Sequence, residues 1–258
     1  KAYFIKSGKE WSVDNVESVA YNQHRTFNNY WRTELQRTEF ISKPGDTYQN
    51  SKQIIIRYLN NGCMTLEIGS QMLRGAQFPF FMIFRALGWA TDKQMLDNIL
   101  FSDIGYPDSE RKEDPLVDKM YEILKGAMLA NYDTKAHKFG TPTNIHSQTE
   151  VLAYLVRHMP KDTFKDMDLV KEDHLQQAAT DILSRLDEDF LPHIGTTEAS
   201  RSAKLRFFGL LIHLQILVHL QVLDQTDRDS YTKKRIHSAG VSIAKIFKTH
   251  YGSITTQL

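Results

Sequence analysis

The sequence predicts an α+β protein, with antiparallel sheet in its N-terminal part and a mainly helical C-terminal part. Three observations carry this. Short runs rich in Ile, Phe, Tyr and Thr fill the first 70 residues, turn residues punctuate them, and from Phe78 the apolar period becomes helical with capping residues at its breaks. At 258 residues the chain suffices for one large or two modest domains. Its 24% charged and 41% hydrophobic residues are the proportions of a folded globular protein rather than a disordered or collagen-like one.

Strands are expected at Tyr3–Lys6, Trp11–Val13, Gln36–Ile41, Gln53–Leu59 and Cys63–Ile68. Pro44-Gly45 suits a type II turn, in which proline sets the first central residue and glycine takes positive φ at the second. Asn61-Gly62 is a two-residue type I′ hairpin signal, because both of those positions need positive φ.

Helices follow. Pro79 suits the first helical position and Gly88 can close that helix in a left-handed conformation. Thr91 with Gln94, and Ser147 with Glu150, are capping-box spacings, in which side chains satisfy the free N–H groups of a helix start. Asp114-Pro115 opens another helix, and Tyr132 to Asn144, with Gly140 and Pro142, reads as a polar loop before the helix that ends ahead of Pro160. From about Glu172, Leu175, Ala178, Ile182 and Leu186 share one face of a helix that stops before Pro192. Phe207 to Leu223 is 17 residues without a charge. Its His213, Gln215, His219 and Gln221 point in several directions at helical spacing and would be costly in lipid, so it reads as a helix buried in a protein core. The last helix is read from Tyr231 to Tyr251, with Ile236, Ala239, Ile243 and Phe247 on one side and Lys234, Lys245 and Lys248 on the other.

Several function classes find no residues to support them. The 32 Lys and Arg balance 31 Asp and Glu, so any nucleic-acid contact must come from local clustering. Asp224 to Leu258 carries six Lys/Arg and three Asp. The single cysteine, Cys63, rules out an internal disulfide or a cysteine-rich zinc cluster, fits a reducing compartment, and reads as a small hydrophobe. Asp224, Asp227 and Asp229 fail as an EF-hand, lacking glycine at the sixth position and glutamate at the twelfth. Asp227 reads instead as the cap of the following helix. His213 and His219, six apart, do not meet on a helix. Arg85, the one charge in its apolar helix, needs a carboxylate or carbonyl partner if buried. There is no P-loop, no GxSxG and no dinucleotide-binding glycine pattern.

Three blocks stand out, in order: YFIKSGKEW near the start, FPFFMIFRALGWATDKQML at 78 to 96, and DILSRLDEDFLPHIG continuing through KLRFFGLLIHLQILVHLQVLDQTDRDSYTKKRIHSAG to FKTHY. Together they are similar to the second-largest, beta-type subunit of multisubunit DNA-directed RNA polymerases of eukaryotes, archaea and large DNA viruses. Ala2 stands where the family commonly has glycine, and residues 20 to 70 and 103 to 170 match only by position between the blocks.

The resemblance implies a lobe, residues 19–186, inserted between two protrusion segments at 1–18 and 187–258 that pack together. It implies one wall of a DNA cleft and a docking surface for the largest subunit, smaller subunits and initiation factors. It implies no catalytic residue and no cofactor in this chain, since the Mg²⁺ of the parent enzyme is bound mainly by the largest subunit. Only Lys233, Lys234 and Arg235 of the basic residues match the family motif, so they are the expected nucleic-acid contacts. The expected location is intracellular: a nucleus, or a cytoplasm or virion if the polymerase is viral. The alternative is a freestanding protein-interaction or scaffold domain without a nucleic-acid role.

Overall fold

The computed structural model describes residues 2–45, 50–70, 77–89, 91–101, 115–129, 133–134, 137–138, 147–158 and 171–255. The expected α+β class is the class found. The chain divides into two compact units, Lys1–Gln23 with Asp227–Leu258, and His24–Thr226. Residues 187 to 226 pack in the larger unit.

In the smaller unit, β1 (Ala2–Lys6) and β2 (Lys9–Val13) pair in the register Ala2↔Val13 to Lys6↔Lys9. Ser7 and Gly8 link them at φ 55° and 72°, the two positive values that a type I′ turn requires. β3 (Val16–Val19) completes the N-terminal part of this unit.

The larger unit opens with β4 (His24–Trp31), β5 (Glu34–Ser42), β6 (Lys52–Leu59), β7 (Met64–Ile68) and β8 (Gln77–Pro79), a five-stranded antiparallel meander in sequence order. The expected hairpin between β6 and β7 forms, but through a different turn. Asn61 lacks positive φ, Gly62 takes +81°, and the Gly62 N–H donates to the Leu59 carbonyl at 3.0 Å. That is a three-residue loop with glycine in the left-handed position, selected because Leu59 also bonds Cys63 across the hairpin. Gly45 does not take the left-handed φ of a type II turn, and residues 46–49 beyond it lie outside the described ones.

The helices are α1 (Phe80–Ala86), α2 (Asp92–Leu100), α3 (Pro115–Leu129), α4 (Gln148–His158), α5 (Glu172–Asp189) and α6 (Arg201–His219). Pro79 is the residue before α1 rather than its first. Gly88, at φ +109°, closes α1 as expected: its N–H reaches the Arg85 carbonyl and that of Trp89 reaches Phe84. Thr91 caps α2 through the Gln94 N–H, and Ser147 and Glu150 exchange the two bonds of a capping box at α4. Between α3 and α4, β9 (Asp133–Thr134) and β10 (His137–Lys138) form a two-residue ladder inside the expected polar loop. The rest of that loop, with Gly140 and Pro142, and Asp114 and Pro160 at neighbouring boundaries, lie outside the described residues.

Alternation on β5 sets the two faces of the sheet. Gln36, Thr38, Phe40 and Ser42 point inward to α6, whereas Arg37 and Glu39 point away. On the outward face Arg37 pairs with Glu39 at 3.1 Å, Arg25 with Glu39 at 3.3 Å, Arg57 with Glu34 at 2.9 Å, and Arg57 also with Glu67. On the inward face Ile54, Ile56, Leu66 and Phe78 meet Phe84, Phe208, Leu211, Ile212 and Ile216, all buried. The uncharged run 207–223 therefore builds a core helix, and among the described residues no helix is long and apolar enough to cross a membrane. Arg85 is buried and bonds Asp92 at 2.6 Å, the carboxylate partner its position demanded. The open edge of β4 is strapped by Gln225 and Thr226: the Thr226 N–H donates to the Thr26 carbonyl, and the Asn28 N–H to the Gln225 side chain.

Three half-buried histidines make contacts that belong to the fold. His213 bonds the Ile99 carbonyl at 2.7 Å, His219 packs edge-on to Tyr58, and His193 meets Ser42 Oγ at 2.8 Å. Burial holds all three below the ordinary histidine pKa, with Lys204 adding to the effect at His193. The unfolded chain thus binds more protons than the folded one below about pH 6.5. Stability present above that pH is lost as it falls, so urea midpoints should drop on acidification from about pH 7.5 to 5.5. In a His213→Gln and His219→Gln variant that drop should shrink.

The C-terminal part of the smaller unit corrects one reading. Residues 231 to 237 are not helical: Tyr231–Lys233 is a single 3₁₀ turn, capped by Ser230, and β11 (Lys234–His237) pairs antiparallel with β3. Only α7 (Ala239–Thr255) is helix. Asp227 caps no helix, and instead accepts the Asp229 N–H at 2.9 Å in a local turn. Ile236, Ile243 and Phe247 are exposed rather than forming one buried face. Among this unit's described residues only Ala239 is a buried hydrophobic.

Candidate nucleic-acid interface

β11 determines where the three expected contact residues go. Its register pairs Lys234 with Val19, Arg235 with Ser18, Ile236 with Glu17 and His237 with Val16. Because side chains alternate along a strand, Lys234 and Arg235 must leave on opposite faces. The expected helical stripe of Lys234, Lys245 and Lys248 is also broken, because Lys234 lies on β11 and the other two on α7.

Lys234 is already engaged. Its Nζ lies 3.4 Å from Glu17 Oε2 and 5.0 Å from the centre of the Tyr231 ring, while the Tyr231 hydroxyl donates to Glu17 Oε1 at 3.0 Å. This three-membered cluster satisfies the ammonium with a carboxylate on the diagonal cross-strand position and an aromatic face. Its side chain is 25% exposed.

Arg235 is held differently. Its guanidinium sits over the Tyr21 ring, 5.3 Å from the centroid, and the residue is exposed. A cation–π contact of this kind holds the guanidinium near the ring while its N–H groups can still reach a phosphate or carboxylate. The backbone beneath is fixed by Ser18 Oγ donating to the Arg235 carbonyl and by the Ala20 N–H donating to the Lys233 carbonyl at 2.9 Å. Lys233 ends the 3₁₀ turn, half-buried. Of the other basic residues once read with them, Lys248 is exposed on α7.

Tyr21, Glu17 and Tyr231 shape this site, and sequence reading did not name them. Glu17 and Tyr21 lie over 200 residues before β11, so no local spacing signals their role. Among the described residues no three His, Cys, Asp or Glu side chains come together as a metal ion would require.

Residues 68–237 match the family described as RNA polymerase Rpb2, domain 2. The chain is 27% identical over 249 residues to the DNA-directed RNA polymerase II subunit RPB2 of Encephalitozoon cuniculi, covering 96% of this chain and 19% of that protein. It is 25% identical over 258 residues to the subunit of the same name from Schizosaccharomyces pombe, covering 98% and 19%. It is 24% identical over 256 residues to the DNA-directed RNA polymerase subunit Rpo2 of Sulfolobus acidocaldarius, covering 99% and 19%. The chain thus spans about a fifth of the length of these relatives. The match runs from the end of β7 through β11 and takes in α1 to α6, and the chain belongs to the family of RNA polymerase Rpb2, domain 2.

Proposed function

We propose that this chain forms one wall of the DNA cleft in a multisubunit DNA-directed RNA polymerase and performs no chemistry itself. Residues 19–186 supply the lobe, and residues 1–18 with 187–258 supply parts of the protrusion. The smaller unit's exposed Tyr3, Phe4, Trp11, Ile246 and Phe247 suit a surface that other protrusion residues cover. Its partners are the largest subunit, smaller subunits and initiation factors, and it works inside the cell, in a nucleus or, for a viral enzyme, in cytoplasm or virion. Mg²⁺ belongs to the parent enzyme and is bound there mainly by the largest subunit.

The observation that carries the DNA contact is the exposed Arg235 guanidinium stacked on Tyr21, in a unit with nine Lys and Arg against five Asp and Glu. Such a contact neutralises a phosphate and carries no base specificity. Of the three candidates, Arg235 is the principal contact, with Lys233 beside it. Lys234 contributes less because Glu17 already neutralises it.

The test is DNA retention by the assembled enzyme across a salt series. Arg235→Ala should reduce the slope of log affinity against log salt by about 0.9, so that the loss is largest at low salt. Lys234→Ala should change the slope less. An unchanged slope for Arg235→Ala would leave that residue a structural role alone.

A further inference from the structure

Two cations leave β11 on opposite faces, and the chain neutralises only one of them. Beside Lys234 the partner strand β3 presents Glu17 and Val19, whereas beside Arg235 it presents Val16 and Ser18. Register therefore carries the one acid of β3 to Lys234 and away from Arg235. Glu17 is also held in place there. Its Oε1 accepts the Tyr231 hydroxyl at 3.0 Å, which leaves Oε2 facing Lys234 Nζ at 3.4 Å. Without that bond a carboxylate 49% exposed would spread over several rotamers. The Tyr231 ring approaches the same ammonium, 5.0 Å from its centre. On the other face Arg235 has the Tyr21 ring and, among the described residues, no carboxylate.

We propose that Glu17 is a specificity-determining residue, which masks Lys234 so that the β3–β11 ribbon holds a nucleic-acid phosphate on one face only. A ribbon with a free cation on each side would bind phosphate on either, and the second mode would compete with the first. Discrimination of this kind comes from weakening the wrong mode as much as from strengthening the right one. An internal carboxylate at ion-pair distance does so at every salt concentration used for binding, because such a half-buried pair is screened far less than a phosphate approaching through solvent. The proposal rests on the reading of this ribbon as a phosphate contact, and it adds the residue that sets which cation takes part.

The test is DNA retention by the assembled enzyme across a salt series. Glu17→Gln keeps an oxygen to accept the Tyr231 hydroxyl, and should steepen the slope of log affinity against log salt by about 0.9, one added phosphate contact. Tyr231→Phe, which releases Glu17 but keeps the ring, should steepen it less. Because the gain arises on the opposite face, it should be equally large in an Arg235→Ala background and absent in a Lys234→Ala background. An unchanged slope for Glu17→Gln would overturn the mask. A rise that persists with Lys234→Ala would overturn it too, since Glu17 would then simply repel DNA. An unchanged slope for Arg235→Ala, beside a Lys234-dependent rise for Glu17→Gln, would sink the Arg235 contact and uphold the mask, so the two readings fail separately.

Discussion

Replacing Phe208 with alanine is expected to lower the unfolding free energy by about 3–5 kcal/mol, the range for truncating a buried aromatic. Phe208 is fully buried on the inner face of α6. Its ring lies 5.1 Å from Phe84 of α1 and 5.4 Å from Phe190 at the end of α5, so one side chain joins three elements. The cavity left by alanine would open where a well-packed sheet, α1 and α6 meet, and close-packed neighbours relax only partly into such a space. Phe247, 69% exposed on α7, provides the contrast. Phe247→Ala should change stability of this chain by no more than about 0.5 kcal/mol. Urea denaturation with a common slope checks both, and a Phe208→Ala loss below about 1 kcal/mol would contradict the packing described.

The second large effect is expected at Asp187. This carboxylate is buried and receives Arg201 in a fork, Nε to Oδ1 at 2.9 Å and Nη2 to Oδ2 at 2.6 Å. The fully buried Lys204 donates to the Asp187 carbonyl oxygen, and Asp189 two residues on pairs with Lys52 at 2.7 Å. The hydrogen bonds Arg201 donates to Asp187 raise its pKa, while burial brings the Lys204 ammonium down to about 8. Asp187→Ala leaves two cations with the nearest counter-charge gone, and should cost about 3–5 kcal/mol. Asp187→Leu combined with Arg201→Met should cost less than Asp187→Ala alone, because it removes the orphaned charge together with its partner.

The same cluster fixes a pH dependence. Lys204 is held at about 8 in the folded chain and titrates at its ordinary 10.5 when unfolded. Between those values the unfolded state binds more protons, so this residue makes stability rise with pH across that window. Lys204→Met should remove that rise, which thermal melts from about pH 7.5 to 10 would detect.

What the sequence made legible follows from how local each signal is. The central strands β5, β6 and β7 and helices α1, α2, α4 and α5 were readable because alternation, capping boxes and the Gly88 stop are written within a few residues of each element. β4 was not, since His24-Arg-Thr-Phe27 alternates too weakly and gains its place from pairing with β5. The Asn61-Gly62 hairpin was right in position and wrong in turn type, because the cross-strand bond to Cys63 decides the loop and the dipeptide does not. The type I′ turn formed instead at Ser7-Gly8. The largest error, helix over 231–237, came from an apolar period that continues through Ile236 and Ala239. Pairing with β3, some 217 residues away, overrode it. That error also put Lys234 on one helical stripe with Lys245 and Lys248, whereas Lys234 lies on β11 and the other two on α7. Arg85 was legible as a buried charge in need of a partner, though not the identity of Asp92.

The account's central claim, that this chain works as part of a polymerase's second-largest subunit, is tested most directly by assembly. The full-length parent protein, tagged and purified under several salt conditions, should bring down a largest-subunit homologue in a one-to-one ratio. Recovery of the parent protein alone under every condition would contradict the claim.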